Sequence, residues 1–246
     1  MLTPDEAPTT LGAAEALHLL RTGTLSIEGR LVDASNTTLY CGLSRDGLTT
    51  ACVYKPVRGE RPLWDFPDGT LAGREVAAYE LSAALGWNVV PPTVLRDGPL
   101  GEGMVQLWID GDGTVEMTQL VRADLPALRR MVIFDAVANN ADRKGGHLIP
   151  LPDGHVYGVD HGVSFHQQDK LRTVLWSWSG QPLPDDAVDT LSQLRARLEG
   201  DLHDTLSALL TRREVAAVRR RVDRLLISRR YPEPSGEWPA IPWPPF

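Results

Sequence analysis

The chain has 246 residues, of which 42% are hydrophobic and 23% charged, and its formal net charge is -7 at pH 7. This composition supplies a sizeable apolar core and excludes a disordered chain, while the acidic balance argues against general nucleic-acid binding. The two cysteines exclude a disulfide scaffold or a cysteine-rich zinc site, and the lack of a long apolar run or a signal peptide predicts a soluble, cytoplasmic protein.

The first half of the chain is predicted to consist mainly of strands. Leucines at helical spacing predict a helix within 3–21, and runs of β-branched and aromatic residues between turn residues predict strands. The five predicted strands are 25–32, 37–43, 49–54, 89–95 and 103–109. A loop rich in Pro and Gly over 56–70 precedes a predicted helix over 73–85, which ends at Gly86.

The second half is predicted to be richer in helix. Helices are predicted over 125–138, 185–199 and 202–228, with a short hairpin over 148–159. The turn-rich run 110–113 is a candidate hinge between the halves. The predicted class is therefore α+β with two lobes, and a ligand site is expected in the cleft between them.

Two carboxylates follow separate predicted elements in the second half and can face a common point. Asp142 lies in the polar loop 139–147, and Asp160 ends the second hairpin strand. Phosphoryl transfer needs such a pair, because one carboxylate orients or deprotonates the attacking hydroxyl and the other holds the divalent metal on the phosphates. Either aspartate alone could simply brace a turn, so the pair and its spacing carry the indication.

The runs NNADRKGGHL (139–148) and VYGVDHGVSF (156–165) resemble the catalytic and metal-binding segments of the phosphatidylinositol 3-/4-kinase-like family within the kinase superfamily. The pattern is most similar to type II phosphatidylinositol 4-kinases and a bacterial branch of them. The wider superfamily has a metal-binding Asn five residues after its catalytic Asp, and this chain keeps that offset from Asp142 to His147. The resemblance implies a bilobal kinase-like fold that uses ATP with Mg²⁺ or Mn²⁺.

The strand end that carries Lys55 resembles the one whose lysine contacts the nucleotide phosphates. Glu75 resembles the helix carboxylate that holds this lysine. Glu80 is a rival partner, but an offset of five residues puts the two glutamates on different helix faces, so only one of them can reach Lys55. The chain has only three lysines, Lys55, Lys144 and Lys170, against 22 arginines.

The resemblance implies three groups of site residues. Asp142 and Lys144 are the implied catalytic residues, the lysine neutralising charge on the transferred phosphoryl group. Asp160 and His147 are the implied metal ligands. The implied nucleotide-binding residues are Lys55, Glu75, Ser35 and Asn36 of the phosphate turn, and Gln106, Leu107 and Trp108 of the inter-lobe strand whose backbone reads adenine.

The implied organisation has three parts: an N-terminal helix or tail (1–24), a nucleotide-binding N-lobe (25–110), and a C-lobe (111–246) with the catalytic and metal-binding loops, helices and a tail rich in Pro and Trp. The predicted activity is transfer of the γ-phosphate of ATP to a hydroxyl of a protein Ser/Thr, an inositol lipid or a small metabolite. The segment 164–172 lacks a strong basic cluster, which disfavours a multiply phosphorylated lipid.

Two alternatives stay open at this point. His147 stands where the superfamily has Asn, and the phosphate turn lacks glycine, so a nucleotide-binding pseudokinase that acts as a scaffold or regulator is the second hypothesis. Residues 195–230 hold ten arginines against five acidic residues. That excess could contact acidic lipid or another polyanion, or it could pair with the acids along helix faces.

Overall fold

The computed structural model describes residues 12–31, 36–67 and 69–246. The α+β prediction is confirmed, with an antiparallel sheet in the N-terminal half and mainly helices in the C-terminal half. In chain order the elements are α1 (Ala13–Thr22), β1 (Thr24–Arg30), β2 (Leu39–Arg45), β3 (Leu48–Pro56), α2 (Leu71–Leu85), β4 (Thr93–Gly98), β5 (Gly101–Leu107), α3 (Met117–Leu120), α4 (Pro126–Ala138), β6 (Leu148–Pro150), β7 (Val156–Gly158), α5 (Asp185–Arg197), α6 (Asp201–Ser207) and α7 (Arg212–Ser228).

The five strands of the first half form one sheet in the order β1-β2-β3-β5-β4, with every neighbouring pair antiparallel. Successive side chains of a strand point to opposite faces. Tyr54 therefore lies in an apolar cluster with Leu19 and Leu20 of α1, whereas its neighbours Val53 and Lys55 line a cleft on the other face. The alternation in β3 thus turns a lysine out of the core and toward the second half of the molecule.

The helices of the second half share one large core. Helix α4 is buried on most of its surface, from Leu128 to Ala138, and it packs against α2 and α7. Asn139 ends α4 in a left-handed conformation with φ 54°, so the chain turns sharply into the polar loop that follows. None of the helices in these described ranges is long and apolar enough to cross a membrane.

The element boundaries differ from the sequence-based expectations in two instructive places. The predicted strand over 89–95 begins only at Thr93, because Pro91 and Pro92 cannot donate ladder hydrogen bonds. The single helix predicted over 202–228 is wrong: it is two helices, α6 and α7. Thr211 caps α7 and exchanges hydrogen bonds with Glu214, a capping box that the sequence signals as Thr-x-x-Glu.

Helix α2 is held firmly at its N-terminal end. The carboxylate of Glu60 accepts hydrogen bonds from the backbone N–H groups of Leu71 and Ala72, which have no partner within the helix. Arg74 is 1% exposed and pairs with Glu214 of α7 at 2.6 Å. These contacts fix the helix that carries Glu75 against both halves of the molecule.

Candidate active site

Lys55 joins the two halves of the molecule at the centre of the cleft. Its Nζ lies 2.6 Å from Oε1 of Glu75 on α2 and 2.8 Å from Oδ1 of Asp160, which follows β7. The second oxygen of Glu75 accepts a hydrogen bond from the backbone N–H of His161 at 2.8 Å. Glu75 thus contacts Lys55 through one oxygen and the His161 N–H through the other, and Glu80 is not the residue that reaches Lys55.

Charge controls the protonation of this cluster. Burial by itself lowers the pKa of Lys55, but the carboxylates of Asp160 and Glu75 outweigh it and hold the pKa of the ammonium above its usual range. The Lys55 ammonium in turn holds the pKa of Asp160 well below the usual range of an aspartate. Both groups are therefore charged at neutral pH. The Asp160 side chain is 52% exposed, so it stays open to a ligand from the cleft.

His147 faces the other oxygen of Asp160. Its Nε2 lies 3.4 Å from Oδ2, and burial lowers the pKa of the imidazole, which is neutral at pH 7. Two ligands at right angles on one octahedral Mg²⁺-sized cation lie about 3 Å apart. The separation of the donor pair is a few tenths of an ångström longer than that, so a small shift of either side chain would let both bind one divalent cation.

Nothing in the described ranges offers a complete protein cage for such a cation. No group of three or more His, Cys, Asp or Glu side chains there is arranged to hold a metal ion. Mg²⁺ at phosphate-transfer sites commonly takes only one or two protein ligands and completes its shell with phosphate oxygens and water. The pair of His147 and Asp160 fits that pattern and not that of a structural metal site.

Asp142 lies in the same loop as His147 and is oriented by a neighbour. Its backbone N–H donates to the side-chain oxygen of Asn140 at 2.9 Å, and its Oδ2 lies 3.3 Å from Nζ of Lys144. Burial raises the pKa of the Asp142 carboxyl above its usual value. Asp142, Asp160 and Lys55 line a common cavity of about 380 Å³. The two aspartates that the sequence singled out therefore open onto one space.

Arg143, next to Asp142, is a structural brace and does not reach the cleft. It is fully buried and forms two hydrogen bonds of 2.9 Å with the carboxylate of Asp135 in α4. It also donates to the carbonyl of Val159 at 3.1 Å and contacts Nε2 of His161 at 2.6 Å. This geometry leaves no role for Arg143 in contacting a phosphate. Its contacts fix the loop of Asp142 to the strand end of Asp160.

The larger cavity of the cleft measures about 820 Å³ and extends from Lys55 and Asp160 to the end of β5. Gln106, Leu107 and Trp108 all line it. Their polar groups are partly committed elsewhere: the Gln106 amide donates to Oγ1 of Thr93, and the N–H groups of Leu107 and Trp108 donate to the carbonyls of Pro92 and Ala51. Those two N–H groups are therefore not free to read an adenine base.

The phosphate turn is described only in part. Ser35 lies outside the described residues. Asn36 is described and lines both cavities. Its side-chain oxygen accepts the backbone N–H of Arg61 at 2.8 Å, which ties the turn to the loop before α2.

Most of the arginine-rich region is engaged in ion pairs. The pairs in the described ranges that involve arginines of this region are Arg195–Asp223, Arg195–Glu199, Arg197–Asp201, Arg219–Glu199, Arg221–Asp169, Arg224–Asp169 and Arg229–Asp185. Asp169 and Asp185 lie outside 195–230, so their pairs offset part of the local excess of positive charge, and the other pairs join residues within the region.

Sequence analysis missed three residues that support the site. Asp135 carries a charge within the otherwise apolar run 131–138 of α4, and that anomaly is a usable signal for a buried ion pair. Asn140 was within the motif but received no role. The third is Phe246, which lines the larger cavity and for which the sequence gives no periodic signal.

Sequence comparison finds relatives but no matching family model. Protein Rv2133c of Mycobacterium tuberculosis is 43% identical over an alignment of 263 positions, which covers 93% of this chain and 94% of that protein. Phosphatidylinositol 4-kinase gamma 4 of Oryza sativa subsp. japonica is 29% identical over 127 positions, which cover 44% of this chain and only 22% of that protein.

Comparison with solved structures identifies the fold. The crystal structure of the Golgi casein kinase with Mn and ADP bound has a TM-score of 0.59 at 16% identity, covering 88% of this chain and 75% of that one. The Helicobacter pylori proinflammatory kinase CtkA has a TM-score of 0.50 at 12% identity, covering 86% and 94%. The fold is kinase-like, and the chain belongs to the same protein family as Protein Rv2133c of Mycobacterium tuberculosis.

Proposed function

We propose that this protein is an ATP-dependent phosphotransferase that moves the γ-phosphate of ATP to a hydroxyl acceptor. The observation that carries the proposal is the contact of Lys55 with both Glu75 and Asp160 at the centre of the cleft. A cation held between two carboxylates, one of them half-exposed, is suited to receive the phosphates of a nucleotide. The likeness to kinase structures, one of which holds Mn and ADP, adds support.

Each of the cleft residues has its own role in phosphoryl transfer. Lys55 contacts the phosphates of ATP, whose base lies toward the end of β5. Asp142 orients the acceptor hydroxyl and takes its proton as the bond from oxygen to the γ-phosphorus forms and the bond from that phosphorus to the β-phosphate oxygen breaks, releasing ADP. The raised pKa of Asp142, caused by burial, makes it a stronger base than an exposed aspartate. Lys144, 3.3 Å from Asp142, adds positive charge beside the transferred group.

His147 and Asp160 would hold the divalent metal. When bound, that metal would neutralise phosphate charge and bring the β- and γ-phosphates into a fixed orientation. Because the imidazole of His147 is neutral and softer than an amide or carboxylate oxygen, Mn²⁺ suits this pair better than Mg²⁺.

The acceptor site is the cavity of about 380 Å³ that Asp142 shares with Asp160 and Lys55. Its outer wall includes Arg61 and Pro62 of the loop before α2. A cavity of this size accepts one hydroxyl-bearing group, such as the side chain of a protein Ser/Thr, a lipid inositol ring or a small polyol. Membership of the phosphatidylinositol 3-/4-kinase-like branch is part of this proposal, and the partial match to the rice phosphatidylinositol 4-kinase supports it.

The test is transfer of label from γ-labelled ATP in the presence of Mg²⁺ or Mn²⁺. The panel of acceptors contains the protein itself, casein, inositol lipids and small polyols. We expect transfer that Asp142→Asn reduces at least about a hundredfold, the usual effect of removing a positioned base. Asp153→Asn, in the exposed turn between β6 and β7, is the matched control and should transfer at the wild-type rate. Equal activity of the two variants would refute the role of Asp142.

The second candidate function is a nucleotide-binding pseudokinase that acts as a scaffold or regulator. The observation that favours it is His147, an imidazole in the position where the superfamily uses an amide oxygen. The transfer assay, run beside a calorimetric measurement of ATP binding, separates the two functions, since ATP binding without transfer under either metal would identify the scaffold. Transfer to any member of the panel, lost in Asp142→Asn, would identify the enzyme.

A further inference from the structure

The segment after α7 does not project into solvent but returns along the second half of the molecule. We refer to residues 231–246 as the tail. Its start is fixed by hydrogen bonds between the backbones of Tyr231 and both Gly180 and Gln181. Farther along, the carbonyl of Ala240 accepts the N–H of Thr173 at 3.0 Å. These backbone hydrogen bonds give the tail one defined path.

Side chains hold the middle of the tail. The indole of Trp238 lies over the ammonium of Lys170, 4.7 Å from the ring centroid to Nζ. The same ammonium lies 4.8 Å from the ring of Trp64 and 2.6 Å from Asp65, both in the loop before α2. Cation–π contacts of a buried ammonium are among the stronger ones. Lys170 therefore connects the tail with the N-terminal half of the molecule.

The far end of the tail reaches the cleft. The N–H of Gly145, in the loop of Asp142 and His147, donates to the carbonyl of Pro245 at 2.8 Å. A Cβ atom on Gly145 would lie 2.2 Å from the ring of Phe246, so only glycine permits this packing. Pro244 and Phe246 line the larger cavity together with Lys55 and Asp160.

We propose that Phe246 and Pro244 form one wall of the nucleotide site, so that docking of the tail and binding of the nucleotide stabilise each other. This inference rests on the proposed function. A flat aromatic ring and a proline ring supply apolar surface for the ribose and base, which the polar loop 142–147 lacks. Because the tail also contacts the Asp142 loop through Gly145, a bound nucleotide that packs on Phe246 favours the docked tail, and the coupling is reciprocal.

The first test compares two tail variants of the 246-residue chain. Phe246 and Ile241 are 51% and 50% exposed, but only Phe246 is among the residues that line the cleft. Calorimetry with ADP and Mn²⁺ measures the nucleotide Kd. We expect Phe246→Ala to raise it about tenfold, a typical coupling between linked sites. Ile241→Ala should stay within about twofold of wild type.

The second test uses the close contact of Gly145 with the ring. Gly145→Ala expels the ring and should weaken ADP binding in the wild-type background. In the Phe246→Ala background the same substitution should add little, because the ring it displaces is already gone. Hydrogen exchange at the Gly145 amide, which donates to the tail, should slow when ADP and Mn²⁺ are added to the wild type.

The outcomes separate this inference from the function on which it rests. If the wild type binds ADP and Phe246→Ala binds it as tightly as Ile241→Ala does, the tail is no part of the site and the inference is refuted. Tighter binding by Phe246→Ala would also refute it, since the tail would then compete with the nucleotide. If the wild type binds neither ATP nor ADP, the proposed function fails and this inference fails with it.

Discussion

The molecule contains two charge clusters built from similar residues but used in different ways. In the cleft cluster, Lys55 contacts Glu75 and Asp160, and the Asp160 side chain is 52% exposed. In the brace cluster, Arg143 contacts Asp135 and both side chains are 0% exposed. The first cluster keeps an open side toward a cavity, whereas the second is sealed.

The difference is clearest in the hydrogen-bond capacity of the two cations. A guanidinium has five N–H donors, and Arg143 directs them to Asp135, His161 and the carbonyls of Val159 and His147. Lys55 has three donors, and its side-chain contacts are the two carboxylates. The donors of Arg143 are all used within the protein, so this residue stabilises the fold. Lys55 keeps one donor for a ligand.

The largest expected effect comes from breaking the brace. Arg143→Met leaves Asp135 charged and buried, which typically costs about 3–5 kcal/mol of the free energy of unfolding. Urea denaturation of wild type and variant measures the loss. The double variant Arg143→Met with Asp135→Leu is the control and should recover much of the stability, because no charge stays buried without a partner. Wild-type stability of the single variant would contradict the brace.

Breaking the cleft cluster should show chiefly in activity. Lys55→Met removes the charge that meets the phosphates, and we expect the rate of phosphate transfer to fall about a hundred- to a thousandfold. The free energy of unfolding should fall as well, because Glu75 is 2% exposed and loses its cation, although the His161 N–H still donates to it and Asp160 is half-exposed. Transfer assays and urea denaturation on the same preparation test the expected rate and the expected stability together. If Lys55→Met lost stability but kept its transfer rate, Lys55 would be a structural residue and not part of the site.

The metal preference sharpens the description of the cleft. His147→Asn replaces an imidazole nitrogen with a harder amide oxygen, which favours Mg²⁺ over Mn²⁺. We expect the ratio of activity with Mg²⁺ to activity with Mn²⁺ to rise about tenfold, the scale of an effect of ligand environment on metal sites. His203→Asn, on the exposed side of α6, is the control. An unchanged ratio would show that His147 is not a ligand.

The smallest expected effect is on the pH dependence of stability. Burial, followed by the charge of Arg143, holds the pKa of His161 well below 6.5 in the folded chain. The unfolded chain therefore binds more protons as the pH falls below about 6.5, so the free energy of unfolding should decrease from there toward the lower pKa of the folded state. Urea denaturation between pH 7.5 and 5 measures this decrease. His161→Gln should flatten the curve, and an equally steep curve would assign the effect to other groups.

Much of the cleft was accessible from the sequence because its residues follow the ends of recognisable elements. Lys55 ends a strand, Glu75 lies on a helix rich in good helix formers, and Asp160 follows a short hairpin strand. A kinase-like order of these segments predicts that they meet. The resemblance favoured Glu75 over its rival Glu80, and the structure orients the helix through contacts at the N-terminal end of α2.

Other features could not be read from local patterns. The direction of the Arg143 side chain, into the protein and toward Asp135, is one of them, because a position next to Asp142 in the sequence gives no hint of where a side chain points. The tail follows neither a helical nor a strand period, so its docking depends on contacts distant in sequence, such as Gly145 with Phe246. The break before α7 carried a readable capping signal at Thr211, but continuous helix formers on both sides obscured it.

The ion pair between Arg74 and Glu214 has a consequence for regulation. Glu75, which pairs with Lys55, directly follows Arg74, so the ion pair with α7 also fixes the position of Glu75. An outward rotation of α2 that moved Glu75 away from Lys55 would separate Arg74 from Glu214 and leave two buried charges without their partners. Regulation by rotation of α2 is therefore energetically disfavoured. Segments that border the cleft without a buried ion pair of this kind would move at a lower cost.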